Sequence, residues 1–180
     1  MSNNIRVATL SDAESLRDIY QAAITDIPQR ADINPKQKNF WLESGSKIES
    51  WEWVIENYNV FVYLKNEQIV GFVGLFNSNI KYVYVHPNHK GNGIAFEMLD
   101  FIEKFAKDRG VVELFSEVTG VAAHMFVSRG FEKVKEVTVP IPNTAPFVFH
   151  KMVKNLNTAL AVNKAQIENQ PDATVLVEPN

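Results

Sequence analysis

The sequence predicts a mixed α/β domain, one sheet with helices on its faces, in the order β-α-α-β-β-β-α-β-α-β-β. Three observations carry this. Hydrophobic spacing switches along the chain between a helical repeat and β-rich runs. Glycine, proline and asparagine fall at the junctions between these segments. Of 180 residues, 46% are hydrophobic and 22% charged, the balance of a globular chain able to bury a core.

Ile5–Ala8 forms a first strand after a short polar start. Ser11-Asp12-Ala13-Glu14 reads as a capping box with Ser11 as N-cap. Ala13, Leu16, Ile19, Tyr20, Ala23 and Ile24 then follow at helical spacing to about Thr25. Pro28 and Pro35 punctuate the next stretch, and after Gly45 a second helix is marked by Ile48, Trp51, Val54, Ile55 and Tyr58. Val60–Leu64 and Ile69–Phe76 are strands of a hairpin joined by Lys65-Asn66-Glu67-Gln68. The second is apolar on both faces, which places it centrally in its sheet. Asn77-Ser78-Asn79 turns into a strand Ile80–Val85, ended by His86-Pro87. A helix runs from Gly91 to Asp108, stopped by Gly110. A strand Glu113–Val118, a short helix Val121–Ser128, and strands Phe131–Val139 and Phe147–Val153 complete the order, with Pro140, Pro142 and Pro146 in the last loop.

Residues 1–155 form the predicted domain, and residues 156–180 a C-terminal tail. The tail carries one basic residue, Lys164, against Glu168, Asp172 and Glu178, and so holds most of the chain's net charge of −3. It is either a flexible extension or an arm docked on its own or a neighbouring subunit, the latter giving a homodimer. A net negative chain argues against a general nucleic-acid binder. The absence of cysteine excludes disulfides, thiolate metal sites and a cysteine nucleophile, and suits a reducing cytoplasm. No apolar run reaches the roughly 18 residues of a membrane span, and Met1-Ser2-Asn3-Asn4 lacks a signal-peptide pattern. A cytoplasmic chain without membrane or nucleic-acid partners is expected.

The informative segment is Val83-Tyr84-Val85-His86-Pro87-Asn88-His89-Lys90-Gly91-Asn92-Gly93-Ile94-Ala95, a strand, a glycine turn and a helix start in succession. Unpaired N–H groups at a helix start favour an anion, and Lys90 adds a cation. This is either a phosphate cradle or a turn that needs glycine only for its dihedral angles. A dinucleotide fingerprint is disfavoured because Phe96 stands where a third small residue belongs. A P-loop is disfavoured because Lys90 precedes the glycine instead of following it.

Asn88-His89-Lys90-Gly91-Asn92-Gly93 resembles motif A of the GCN5-related N-acetyltransferases, Gln/Arg-x-x-Gly-x-Gly/Ala. Ala122-Ala123-His124-Met125-Phe126-Val127-Ser128-Arg129-Gly130-Phe131 is similar to that family's motif B, which closes on Gly-Phe. The resemblance extends from Ile5 to Leu156. It implies a largely antiparallel central sheet, helices on both faces, and a cleft splayed between the strands Ile80–Val85 and Glu113–Val118. It further implies acetyl-CoA as donor, with its pantetheine arm on Val83, Tyr84 and Val85. Its pyrophosphate would lie on the N–H groups of Lys90, Gly91, Asn92, Gly93, Ile94 and Ala95, and the Thr119 hydroxyl would contact the cofactor. The partner is then an amine acceptor, a primary amine of a small molecule, peptide or protein, attacking the thioester directly without a metal. A second class is a non-catalytic acyl-CoA-binding domain.

Two residues depart from the family pattern. Asn88 replaces the residue that opens motif A, and Phe126 stands where many members place a tyrosine that protonates the leaving thiolate. An acceptor amine near pKa about 10.4 must lose a proton before it attacks. Glu117, at the end of a strand bordering the cleft, is the candidate base, or else a surface glutamate. Tyr82 and Tyr84 read as packing residues, His124 as a solvent-facing helix residue, and His86 and His89 lack a third metal ligand nearby in sequence. Trp51 belongs to a helical stripe and packs; Trp41 and Trp53 either pack or line an acceptor pocket.

Overall fold

The computed structural model describes residues 4–28 and 33–157. Strand β1 (Ile5–Val7) leads through a 3-10 turn into α1 (Ala13–Thr25), followed by α2 (Pro35–Ser44) and α3 (Ile48–Asn57). The meander β2 (Asn59–Lys65), β3 (Gln68–Phe76) and β4 (Asn79–Val85) precedes α4 (Ile94–Lys107). Then come β5 (Glu113–Val118), α5 (Gly120–Val127), β6 (Glu132–Val139) and β7 (Phe147–Asn155). The strands form one open seven-stranded sheet in the order β1-β2-β3-β4-β5-β7-β6. Every neighbouring pair is antiparallel except β4 with β5.

Strand alternation sorts the core into two layers. On β2, Val60 and Val62 face α1 and α3, where they pack with Leu16, Ile19, Trp51 and Phe72. Phe61 and Tyr63 face the other way, into the cluster that holds Met98 and Ile102 of α4 and Phe126 of α5. The two-sided hydrophobicity of β3 reflects this: Phe72 serves one layer and Val73 the other, both fully buried. Helices therefore cover both faces of a mixed, largely antiparallel sheet. Among the described residues no helix is long and apolar enough to cross a membrane.

The structure corrects several boundaries. The capping interaction before α1 is made by Thr9 and Asp12 rather than Ser11 and Glu14. The Asp12 carboxylate accepts from the Thr9 N–H at 2.7 Å and from its hydroxyl at 3.0 Å. Arg6 grips the same carboxylate through two hydrogen bonds of 2.7 and 2.9 Å. This long-range partner outweighs the local choice and holds the Asp12 carboxyl below the usual carboxylate range. The helix α2 lies outside the sequence expectation altogether. Its box is Asn34 and Gln37, with Gln37 N–H donating to Asn34 Oδ1 at 3.0 Å, Asn34 N–H to Gln37 Oε1 at 2.7 Å, and Pro35 in the first turn. Leu156, assigned to the tail from sequence, is buried in the core, and its N–H donates to Val112 O at 2.8 Å. The rest of the predicted tail, residues 158–180, lies outside the described residues, and so does the expectation of a docking arm.

Candidate active site

The site begins where two strands part. The parallel pair β4 and β5 is in register only at Asn79 and Phe115. Phe115 N–H donates to Ser78 O at 2.9 Å, and the buried Ser116 hydroxyl donates to Ile80 O at 2.7 Å. Beyond that point no ladder joins the strands. A register shift opposite Gly74 and Leu75 makes Lys81 an extra residue on β4, a bulge that bends the strand just past the point where its pairing with β5 ends. His86 N–H donates back to Val70 O on β3 at 2.8 Å. Two-residue alternation then turns the Tyr84 main chain toward β3 and leaves that of Val83 and Val85 facing the split.

At the mouth of the split the chain makes a 3-10 turn, Pro87–His89, and two glycine kinks. Gly91 and Gly93 both sit at φ 77°, in the left-handed region that favours glycine. Helix α4 starts at Ile94, three residues later than the sequence indicates, because the left-handed Gly93 is its N-cap. Lys90 N–H is already committed to Pro87 O at 3.1 Å. Gly91 through Ala95 therefore supply the main-chain N–H groups that donate to no acceptor among the described residues. The Lys90 ammonium pairs with Asp26 at the end of α1, which holds the Asp26 carboxyl low.

These parts surround a cavity of about 280 Å³ that passes through the sheet. From the α4 and α5 face it is lined by Val83, Val85, Ala95, Ala122, Met125 and Phe126. From the α1 and α2 face it is lined by Ala23, Ile24, Ile27, Trp41, Tyr84 and Phe149. Glu117 and Thr119 border it at the open end of β5. Glu117 is exposed, sits opposite Lys151 in the ladder with β7, and is the cavity's one carboxylate among the described residues. Thr119 caps α5 through its carbonyl, with no capping bond from its side chain. Gly91, Asn92, Gly93 and Ile94 stand outside this cavity; Gly91, Gly93 and Ile94 instead line a smaller hollow with Phe96.

Phe126 is buried against Phe131, ring centroids 5.1 Å apart, and brings no proton donor to the cavity wall. Tyr84 is the cavity's phenol, and burial beside Tyr20 and Phe72 pushes it well above its ordinary range. His124 is exposed on α5. Trp51 packs as expected, within 5.0 Å of Tyr20 and 5.4 Å of Phe72, while Trp53 lies exposed beside Tyr58. Trp41 lines the cavity. Sequence reasoning missed Ile24, Ile27 and Phe149 in the wall and Asp26 as the partner of Lys90. The capping signal Asn34-Pro35-Lys36-Gln37 was available to place Trp41 on a helix, but no local signal joins Asp26 to a lysine 64 residues away.

The Acetyltransferase (GNAT) family model matches residues 16–131. A GCN5-related N-acetyltransferase from Rhodopseudomonas palustris has the same fold at TM-score 0.79 and 24% identity, over 86% of this chain and 97% of that one. The PaiA N-acetyltransferase of Thermoplasma acidophilum, solved in complex with coenzyme A, gives 0.68 at 17% identity over 86% and 99%. A ribosomal-protein-alanine N-acetyltransferase from Brucella melitensis gives 0.66 at 25% identity over 84% and 98%. No curated protein matches the sequence.

Proposed function

Because the chain belongs to the GNAT acetyltransferase family, we propose that it moves the acetyl group of acetyl-CoA directly to a primary amine. The observation that carries this reading is the split between β4 and β5 with the open N–H groups of Gly91 to Ala95 at its mouth. Those N–H groups and the first-turn dipole of α4 suit a pyrophosphate. The main chain of Val83 and Val85 offers strand-like hydrogen bonds to an amide-bearing arm. Val83, Ala122, Met125 and Phe126 give that arm an apolar bed, and Thr119 adds a hydroxyl. Lys90 contributes its side chain, in exchange with Asp26.

Bound acetyl-CoA supplies the thioester carbonyl. Glu117 takes a proton from the acceptor ammonium, freeing the nitrogen lone pair to form the C–N bond as the C–S bond breaks. An N–H group of β4 facing the split meets the negative charge that develops on the carbonyl oxygen. The nitrogen sheds its second proton as the amide forms, and with Phe126 in the wall that proton reaches the departing thiolate through water. No enzyme-bound acetyl group is needed, in keeping with a chain that has no cysteine.

Phe126 favours a second reading, an acyl-CoA-binding domain without turnover. Free-thiol release with acetyl-CoA and an amine panel decides between them. Release that depends on the amine supports the enzyme; tight acetyl-CoA binding without it supports the binding domain.

A further inference from the structure

The two ends of the cavity differ in chemistry. The end beside α4 offers unpaired N–H groups; the end beside α1 and α2 is apolar. Ile24, Ile27, Trp41 and Phe149 wall it. Two charged groups beside it are occupied: the Lys38 ammonium donates to Thr25 O at 2.6 Å and Ile27 O at 3.1 Å, and Asp26 is paired with Lys90. Lys81, at the β4 bulge, and Lys90 are the cations of the lining, and Glu117 is its acid.

This apolar wall is fixed from behind. Trp41 meets Phe147 and Phe149 edge-on, with centroids 5.3 and 6.3 Å apart. Ile33 and Ile141 close the layer beneath. The buried Gln37 donates its amide to Ala145 O at 3.2 Å and Pro146 O at 2.7 Å, fastening the β6–β7 loop to α2. Asn34 adds a bond to the Thr144 hydroxyl at 3.3 Å.

We infer that the acceptor is a primary amine on a compact apolar or aromatic body, seated against the wall that Trp41 and Phe149 form together, with its nitrogen toward Glu117. This rests on the donor reading above. A polyamine or lysine-rich peptide brings further cations into a wall with one carboxylate, and burying an unpaired ammonium there is costly. An amino acid brings a carboxylate whose counter-ions lie outside the apolar wall: Lys81 is exposed at the β4 bulge, and Lys90 is paired with Asp26.

The test measures thiol release with 2-phenylethylamine, hexylamine, L-phenylalanine, spermidine and a lysine-rich peptide, beside calorimetric titration with acetyl-CoA. The expected result is kcat/KM for the two apolar amines at least about tenfold above the other three, the size of effect a shaped apolar pocket provides. Trp41→Leu should raise KM for 2-phenylethylamine and leave acetyl-CoA affinity unchanged. Phe149→Glu, which adds an acid to the wall, should shift preference toward spermidine, and it guards against loss of the Trp41 variant to misfolding. Acetyl-CoA binding without faster release for the apolar amines overturns the acceptor inference alone. Failure to bind acetyl-CoA overturns the donor reading and this inference together.

Discussion

Replacing Gly91 by Glu tests the phosphate-cradle reading quantitatively. A Cβ added at Gly91 meets no heavy atom within 4 Å, so the side chain fits without a clash. The backbone sits at φ 77°, and holding a non-glycine residue there costs roughly 1–2 kcal/mol of stability. The electrostatic effect is larger. A carboxylate about 5 Å from one phosphate charge, at an effective dielectric of about 20, repels it by about 3 kcal/mol. That corresponds to about a hundredfold loss of acetyl-CoA affinity. Calorimetric titration of the wild type, Gly91→Ala and Gly91→Glu, with thermal unfolding of each, separates the contributions. Alanine should lower stability as glutamate does yet keep most of the affinity. Added salt should restore part of the glutamate variant's binding, since ions screen exposed charges. Glutamate binding within a few-fold of wild type would refute the cradle; equal losses for both variants would refute the charge argument.

Other outcomes follow from the same geometry. Glu117→Gln should lower the rate about a hundredfold near neutral pH and flatten the pH–rate profile; an unaltered profile removes Glu117 as the base. Gly45→Ala should destabilise the fold by about 1–3 kcal/mol in urea, because its Cβ would lie 2.2 Å from a Tyr20 ring carbon whose hydroxyl is tied to Trp41 O at 3.2 Å. Asp12→Asn should cost about 1–2 kcal/mol at pH 7 through its charged hydrogen bonds. The folded Asp12 carboxyl titrates below its unfolded value, so this stabilisation is present above the unfolded pKa and fades as pH falls through the folded one. The gap between wild type and variant should therefore close below about pH 4, and a gap that persists unchanged would contradict the Arg6–Asp12 assignment.

Local rules served the sequence where one element decides its own structure. The stripe Leu16, Ile19, Tyr20, Ala23 and Ile24 specifies α1, and the two-sided run of β3 specifies a central strand, because burial follows directly from spacing. The glycine turn was legible for the same reason: positive φ at Gly91 and Gly93 is a backbone requirement that sequence displays. Long-range choices were not legible. Thr9 and Asp12 replace the Ser11 box because Arg6 of the neighbouring strand binds Asp12. The apolar end of the cavity is built from Ile24, Trp41 and Phe149, which lie on three separate elements that only the tertiary fold brings together. The helix carrying Trp41 escaped notice because its residues lack an apolar stripe, although its cap was written in Asn34 and Gln37.

Direct acetyl transfer is tested most plainly by a single turnover with acetyl-CoA labelled in the acetyl group and 2-phenylethylamine as acceptor. The label should leave coenzyme A and appear in the amine, with none retained on the protein. Label held covalently by the protein, or label that never reaches any amine while acetyl-CoA still binds, would contradict the account.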